Sequence, residues 1–340
     1  MTLKVHENKL KCRVDNNTAH LFFTLIDYRN NLFTSNNPSK IIEFYNGFES
    51  KEQLIGWMRE RPKGANYIHE VEGDRDIIVV ILTADFNGKY ARECRGNTFK
   101  GLHIIFVESG GKDDFCFNYA HNCNTGIKKA MEYNPKWVVV SNDDVYKIDP
   151  PEKLITELKK IDPTETDVVF ALQSEYHSYN ISIAKPRGLY SVRIRSIPHK
   201  RELSQLMKNF DVKYLTVSKN RQLKIKLWNL AYFRRYFSFT QAGSFSIFSG
   251  KFIAANGDKL FDDNYINNAE DLDLSLSIHL NGYKSMGINY QIGDYIGSTL
   301  GNGIQRQYRS MASLIFFNAK WADILDNILN DQQFRKLLNV

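Results

Sequence analysis

Apolar residues cluster in short runs separated by stretches of helical spacing. Asp76 to Asp85, with the core IIVVILTA, and Leu102 to Ser109, built on HIIFVE, are β-branched runs without polar alternation, the pattern of strands buried on both faces. Between Phe117 and Tyr133, Ala120, Ile127, Ala130 and Met131 recur at helical spacing, and Trp137 to Ser141 then predicts a third buried strand. Pro151 to Lys160 predicts a helix with proline at its start, and a fourth strand follows at Asp167-VVFAL. Strands alternating with helices in this order imply a mainly parallel sheet with right-handed crossovers.

Outside this stretch the pattern changes. Residues 1–75 read as an N-terminal appendage, with a strand at Leu21 to Leu25 and an amphipathic helix from Ser50 to Arg61. Ser50 is that helix's N-cap, with Gln53 three positions later. Regular patterning covers 76–175, breaks over a basic insertion at 176–240, and resumes at Ala242-GSFSIFS-Gly250 within 241–300. A C-terminal helical segment occupies 301–340, with a helix from about Ser313 to Leu338.

At 340 residues, 43% hydrophobic and 24% charged, the composition is that of a folded globular protein and excludes disorder or a fibrous repeat. Cys12, Cys94, Cys116 and Cys123 have neither metal-site nor disulfide-scaffold spacing and predict free thiols in a reducing compartment. The polar N-terminus does not read as a signal peptide, and the apolar stretch from Ile77 to Ala84 is too short to cross a bilayer. A cytoplasmic protein is the expectation.

The net charge of +7 concentrates in the insertion, where fourteen Lys and Arg between Lys185 and Arg235 face only Glu202 and Asp211. That segment reads as a solvated positive face, a surface for an anionic or lipid-linked acceptor, or a nucleic-acid patch. Arg221 to Ser238 mixes Leu223, Ile225, Trp228 and Phe233 with cations. This pattern suits a helix lying at a membrane interface or one packed into a core. Peripheral membrane contact through 185–237 is one reading, and burial of the stripe in a core is the more ordinary one.

Ser141-Asn142-Asp143-Asp144 stands where a buried strand ends, and ligands of open α/β sheets sit beyond the carboxyl ends of strands. Hard divalent cations that escort diphosphates prefer carboxylate oxygen. The tetrapeptide alone fits either a metal-nucleotide site or a turn with solvated acids.

Five segments in order resemble glycosyltransferase family 2, covering about 76–175 and 241–300. Val80 to Asn87 (VILTADFN) resembles the opening strand and turn, Ile104 to Asp113 (IIFVESGGKD) the second strand, and Asn122-CNTG-Ile127 the Asn-x-Gly helix start. Asn142-Asp143-Asp144 resembles the Asp-x-Asp motif with Asn at its first position, and Ala242 to Gly287 resembles the acceptor half with its Glu270-Asp271 helix start.

The resemblance implies an α/β chain of the GT-A fold, a Rossmann-like mixed, mainly parallel sheet flanked by helices. It also implies an inverting transfer from a nucleoside-diphosphate sugar to an acceptor hydroxyl. Thr83, Asp85, Glu108, Asn124, Asn142 and Asp143 fall on donor-binding positions. Asp144 falls on the ligand of Mn2+ or Mg2+, here expected to face solvent, and Asp294 stands where relatives place a metal-binding or donor-contacting His. Asp271 falls on the general base and Glu270 on the residue that positions the acceptor.

Glu270 and Asp271 also fit ordinary charge complementation of a helix N-terminus. A nucleotidyltransferase would want a Gly-rich phosphate loop after the first strand, and Thr83-ADFNGKY lacks one. A basic binding module without catalysis would leave both acidic motifs unexplained, which disfavours a nucleic-acid partner.

Overall fold

The computed structural model describes residues 32, 37–110, 116–171, 178–186, 200–218, 233–243, 245–257, 259–295 and 304–330. Helices α1 (Pro38–Asn46) and α2 (Lys51–Glu60) come first, followed by strands β1 (Tyr67–Val71) and β2 (Asp74–Thr83). Next are α3 (Lys89–Glu93), a π-turn at Cys94–Thr98, β3 (Leu102–Glu108), α4 (Tyr119–Met131), β4 (Trp137–Asn142), β5 (Val145–Lys147), α5 (Pro151–Lys159) and β6 (Val168–Ala171). The insertion holds β7 (Ser178–Pro186), α6 (Lys200–Asn209), β8 (Leu215–Ser218) and β9 (Phe233–Ala242). The chain continues through β10 (Phe245–Ser249), α7 (Gly250–Asn256), α8 (Glu270–Leu280), β11 (Ser285–Ile288), β12 (Ile292–Asp294) and α9 (Ile304–Asn330).

The central sheet has seven strands in the order β1-β3-β2-β4-β10-β6-β11. Five of them run one way, and β1 and β10 run against their neighbours. The fold is thus mixed α/β, with helices on both faces. Alternate residues of β2 serve opposite faces because side chains alternate along a strand. Ile77, Val79 and Ile81 join a core closed by Leu154 and Leu158 of α5. Ile78, Val80 and Leu82 join one closed by α4, α7 and α8. This two-sided burial explains why the strand shows no polar alternation. A Cβ on Gly126 of α4 would lie 2.2 Å from Val80 Cγ1, so glycine is what lets that helix settle on the sheet.

A third core unites segments that are distant in the chain. Leu54 and Met58 of α2, Leu206 and Met207 of α6, Tyr214, and Ile315, Phe316 and Leu325 of α9 pack together with Leu272 and Leu276 of α8. Each fully buried leucine there contributes on the order of 2 kcal/mol. Helix α8 is shared: Leu274 and Ile278 meet the sheet core while Leu272 and Leu276 meet the outer one. Burial on two sides leaves it without a single apolar stripe.

Several local expectations coincide with the structure. Ser50 caps α2, accepting the Gln53 N–H at 3.3 Å, and Gln53 Oε1 reaches back to the Glu49 N–H at 3.0 Å. The helix expected from Ser313 instead runs Ile304–Asn330, and its continuation past 330 lies outside the described residues, as does the strand expected at Leu21 to Leu25. The helix expected from Arg221 to Ser238 is corrected at its end. Phe233–Ala242 is a strand paired antiparallel with β7 in a three-stranded sheet, and 219–232 lie outside the described residues. Aromatic and β-branched content suits a pleated surface as readily as a helical stripe.

The cysteine expectation is corrected at one position: Cys94 and Cys123 are buried free thiols, but Cys116 is disulfide-bonded. Among the described residues no helix is long and apolar enough to cross a membrane.

Candidate functional site

Strands β2, β3 and β4 end level with one another, because the register pairs Thr83 with Glu108 and Leu82 with Asn142. Three loops therefore open at one edge of the sheet, and the acids gather there. Thr83 Oγ1 donates to Asp143 Oδ2 at 2.6 Å and accepts the Asp85 N–H at 3.2 Å. Asp85 Oδ1 accepts the Asn87 N–H at 2.9 Å, closing the turn. Burial pushes the Asp143 carboxyl up to about 6. The charges of Asp144 and Asp85 push the same way, and the Thr83 hydrogen bond opposes them.

Asp144 is 6% exposed, so the expectation of a solvent-facing carboxylate is corrected: the turn into β5 carries it inward. Asp294 stands opposite Val145 in the β12–β5 ribbon, and the Tyr295 N–H donates to the Asp144 carbonyl at 2.8 Å. The structure thus brings Thr83, Asp85, Asn142, Asp143, Asp144 and Asp294 to one edge. No group of three or more His, Cys, Asp or Glu among the described residues is arranged as a ready-made metal cage.

Glu108 is already engaged. His69 Nε2 lies 2.6 Å from Glu108 Oε2, and the imidazole stacks on Phe86 at 4.2 Å between centroids and 7° between planes. Arg95 covers Phe86 at 4.6 Å. His69 escaped the sequence reading because it sits in the appendage. Its signal was the short alternation of β1, whose pairing with β3 brings it over Glu108.

A second group forms around the start of α8. Asn124, half a turn before Gly126 and inside α4 rather than at its start, donates to the Phe261 carbonyl at 2.8 Å and accepts the Phe261 N–H at 3.0 Å. Both polar atoms of the amide are therefore spent on docking the loop before α8. Asn118 caps α4 and also donates to the carbonyls of Asp263 and Tyr265, while Asn267 Oδ1 accepts the Tyr119 N–H. These clamps hold Asn267 at φ 48° and Ala269 at φ 69°, left-handed values that cost non-glycine residues about 1–3 kcal/mol each. Strain held by clamps directly before an acidic pair fits a shaped site.

Glu270 is buried and Asp271 half-buried in the first turn of α8, with Asp271 Oδ1 accepting the Leu272 N–H at 2.8 Å. Burial drives the Tyr119 hydroxyl and the Cys123 thiol well above their usual ranges, with the charges of Glu270 and Asp271 adding to the effect. Asp273 differs from both. It accepts from Tyr265 Oη at 2.9 Å, Trp321 Nε1 at 2.5 Å and Lys320 Nζ at 2.8 Å.

Beside this group lies Lys63, whose enclosed Nζ has no hydrogen-bond partner among the described residues. Burial brings it down to about 8, opposed by Asp263 and Asp262 and helped by Arg61 and Lys259. Between pH 8 and 10.5 the unfolded chain holds this proton and the folded chain does not, so Lys63 makes stability rise with pH across that window. Urea denaturation at pH 8 and 10 is expected to show a rise that is reduced in Lys63→Met; an identical rise in both proteins would count against it.

Compared with known proteins, the chain matches no protein-family model and no curated protein sequence.

Proposed function

We propose that this protein is a divalent-cation-dependent glycosyltransferase of the GT-A fold that transfers a sugar from a nucleoside-diphosphate donor to an acceptor hydroxyl with inversion. The observation that carries the reading is the edge where Thr83, Asp85, Asp143 and Asp144 meet at the carboxyl ends of parallel strands, the place where such sheets bind ligands. The resemblance of five ordered segments to family 2 supports it, as does a second acidic group placed at a helix start after a strained, clamped loop.

The donor set suits a hard cation. Mg2+ is commonly held by one or two carboxylates, with substrate phosphates and water completing its shell, so a cage of three protein ligands is not required. Asp144 would hold Mn2+ or Mg2+ together with Asp143 or Asp294, and the ion would supply charge neutralisation for the departing diphosphate.

The protein's own residues do the rest. Thr83 orients Asp143 and the Asp85 turn, forming the wall against which a ribose and diphosphate rest. Asp271 takes the proton from the acceptor hydroxyl as the new bond forms on the face opposite the leaving group, which inverts the sugar carbon. Glu270, buried beside it, positions the acceptor.

Titration calorimetry with a panel of nucleotide sugars tests the reading. With Mn2+ the wild-type protein is expected to bind one of them more tightly than without it. Asp144→Asn, which keeps the side-chain volume, should weaken that binding at least about tenfold, or 1.4 kcal/mol. Equal affinity with and without Mn2+ for every donor would remove the metal-nucleotide reading.

A further inference from the structure

Next to the acid edge, Tyr90 of α3, Tyr146 of β5 and Tyr295, the residue after β12, form a continuous aromatic patch. The Tyr146 and Tyr295 centroids are 4.7 Å apart with planes at 46°, and those of Tyr90 and Tyr295 are 5.7 Å apart at 43°. Gly293 makes room for it: a Cβ there would lie 2.1 Å from Tyr146 Cζ, so only glycine lets the ring rest on the backbone of β12. Tyr295 is 44% exposed, and its backbone N–H is tied to the carbonyl of Asp144.

The patch is amphipathic. Among the described residues none of the three hydroxyls has a hydrogen-bond partner, and none of the three side chains is buried, so all three can meet a ligand or water. The Lys89 ammonium lies 5.9 Å from the Tyr90 centroid and 6.0 Å from that of Tyr295, and no carboxylate among the described residues is paired to it. Ring faces, three open hydroxyls and one cation therefore share a surface that the Tyr295 N–H joins to the Asp144 backbone.

That combination narrows the occupant. A protein partner needs roughly 800 Å² on each side, far more than three rings offer. Sandwiching a nucleobase between two rings needs parallel aromatic planes, and these are tilted by more than 40°. A pyranose presents an apolar C–H face bordered by hydroxyls, which matches a tilted set of phenol rings with open hydroxyl groups. The transferred sugar must be shielded from water during reaction, whereas Tyr295 opens to solvent, as suits a chain that continues outward.

We propose that Tyr90, Tyr146 and Tyr295 are a subsite for a sugar ring of the acceptor, and that the acceptor is an oligosaccharide. This rests on the transfer reading above. The probes are cellohexaose, maltohexaose and chitohexaose, examined with the full chain by saturation-transfer NMR in the absence of donor and metal. The wild-type protein is expected to bind at least one of them through its ring C–H protons. Tyr295→Ala should weaken that binding about tenfold or more, and Tyr295→Phe, which keeps the ring face, should weaken it less.

If the folded wild-type protein binds none of the three, or Tyr295→Ala binds as well as wild type, the subsite is wrong. It is equally wrong if calorimetry shows Tyr295→Ala weakening nucleotide-sugar binding by the same factor, because the rings then belong to the donor. Because the NMR arm contains no donor, loss of the metal-nucleotide reading and loss of the subsite are separate results.

Discussion

Asp271→Asn is expected to lower turnover by about 10²-fold or more while donor affinity barely changes, because a general base acts on the acceptor proton in the transition state and adds little to ground-state binding. The structure sharpens the assignment among the three acids of this turn. Asp273 already accepts from Tyr265, Trp321 and Lys320, and these three donors stabilise its charged form and make it a weaker base. Asp271 is half-buried in the first turn of α8, with Oδ1 accepting the Leu272 N–H. A purely dipolar role predicts a different outcome, a stability loss of about 0.3–1 kcal/mol with turnover intact. Steady-state kinetics with the best donor and acceptor, alongside calorimetry on the same variant, separates the two. Near-normal transfer by Asp271→Asn would move the base to Glu270.

Asp273→Ala is expected to cost about 3 kcal/mol of stability, the lower end of what breaking a buried charged network costs. Removing the carboxylate strands the Trp321 N–H and the Tyr265 hydroxyl, while Lys320 keeps Asp262 at 2.9 Å. Asp273→Asn retains one acceptor oxygen and should lose less. The network ties α9 to the loop before α8, and Ser313 Oγ adds a bond from the Ile266 N–H at 3.0 Å. Loosening it should therefore also disturb the strained turn at Asn267 and Ala269. Chemical denaturation measures the effect, and a loss below about 1 kcal/mol for Asp273→Ala would mean that the network is not a main tie between the two layers.

What the chain encoded locally could be read from it directly. Buried β-branched runs set β2, β3, β4 and β6, because a strand covered on both faces admits no polar alternation. Ser50 and Gln53 marked a helix start, because orphan N–H groups need side-chain acceptors. The placement of Asn142, Asp143 and Asp144 at a sheet edge followed from a strand ending at Asn142, and Glu270 and Asp271 do open α8.

Partnership was decided only in three dimensions. Periodicity records which face a residue occupies and says nothing of what meets that face. The antiparallel insertion of β10 between β4 and β6, the approach of His69 to Glu108 and the clamp of Asn124 on Phe261 all join residues separated by tens of positions or more. The same holds for the third core, in which the appendage, the basic insertion and the C-terminal helix bury one another's apolar faces against α8. Read separately, each of those segments exposes a hydrophobic face with no visible destination. The sequence alone determined the local elements and the acidic motifs, whereas the tertiary structure decided their partners, because burial is a property of surfaces brought together and not of any one stretch of chain.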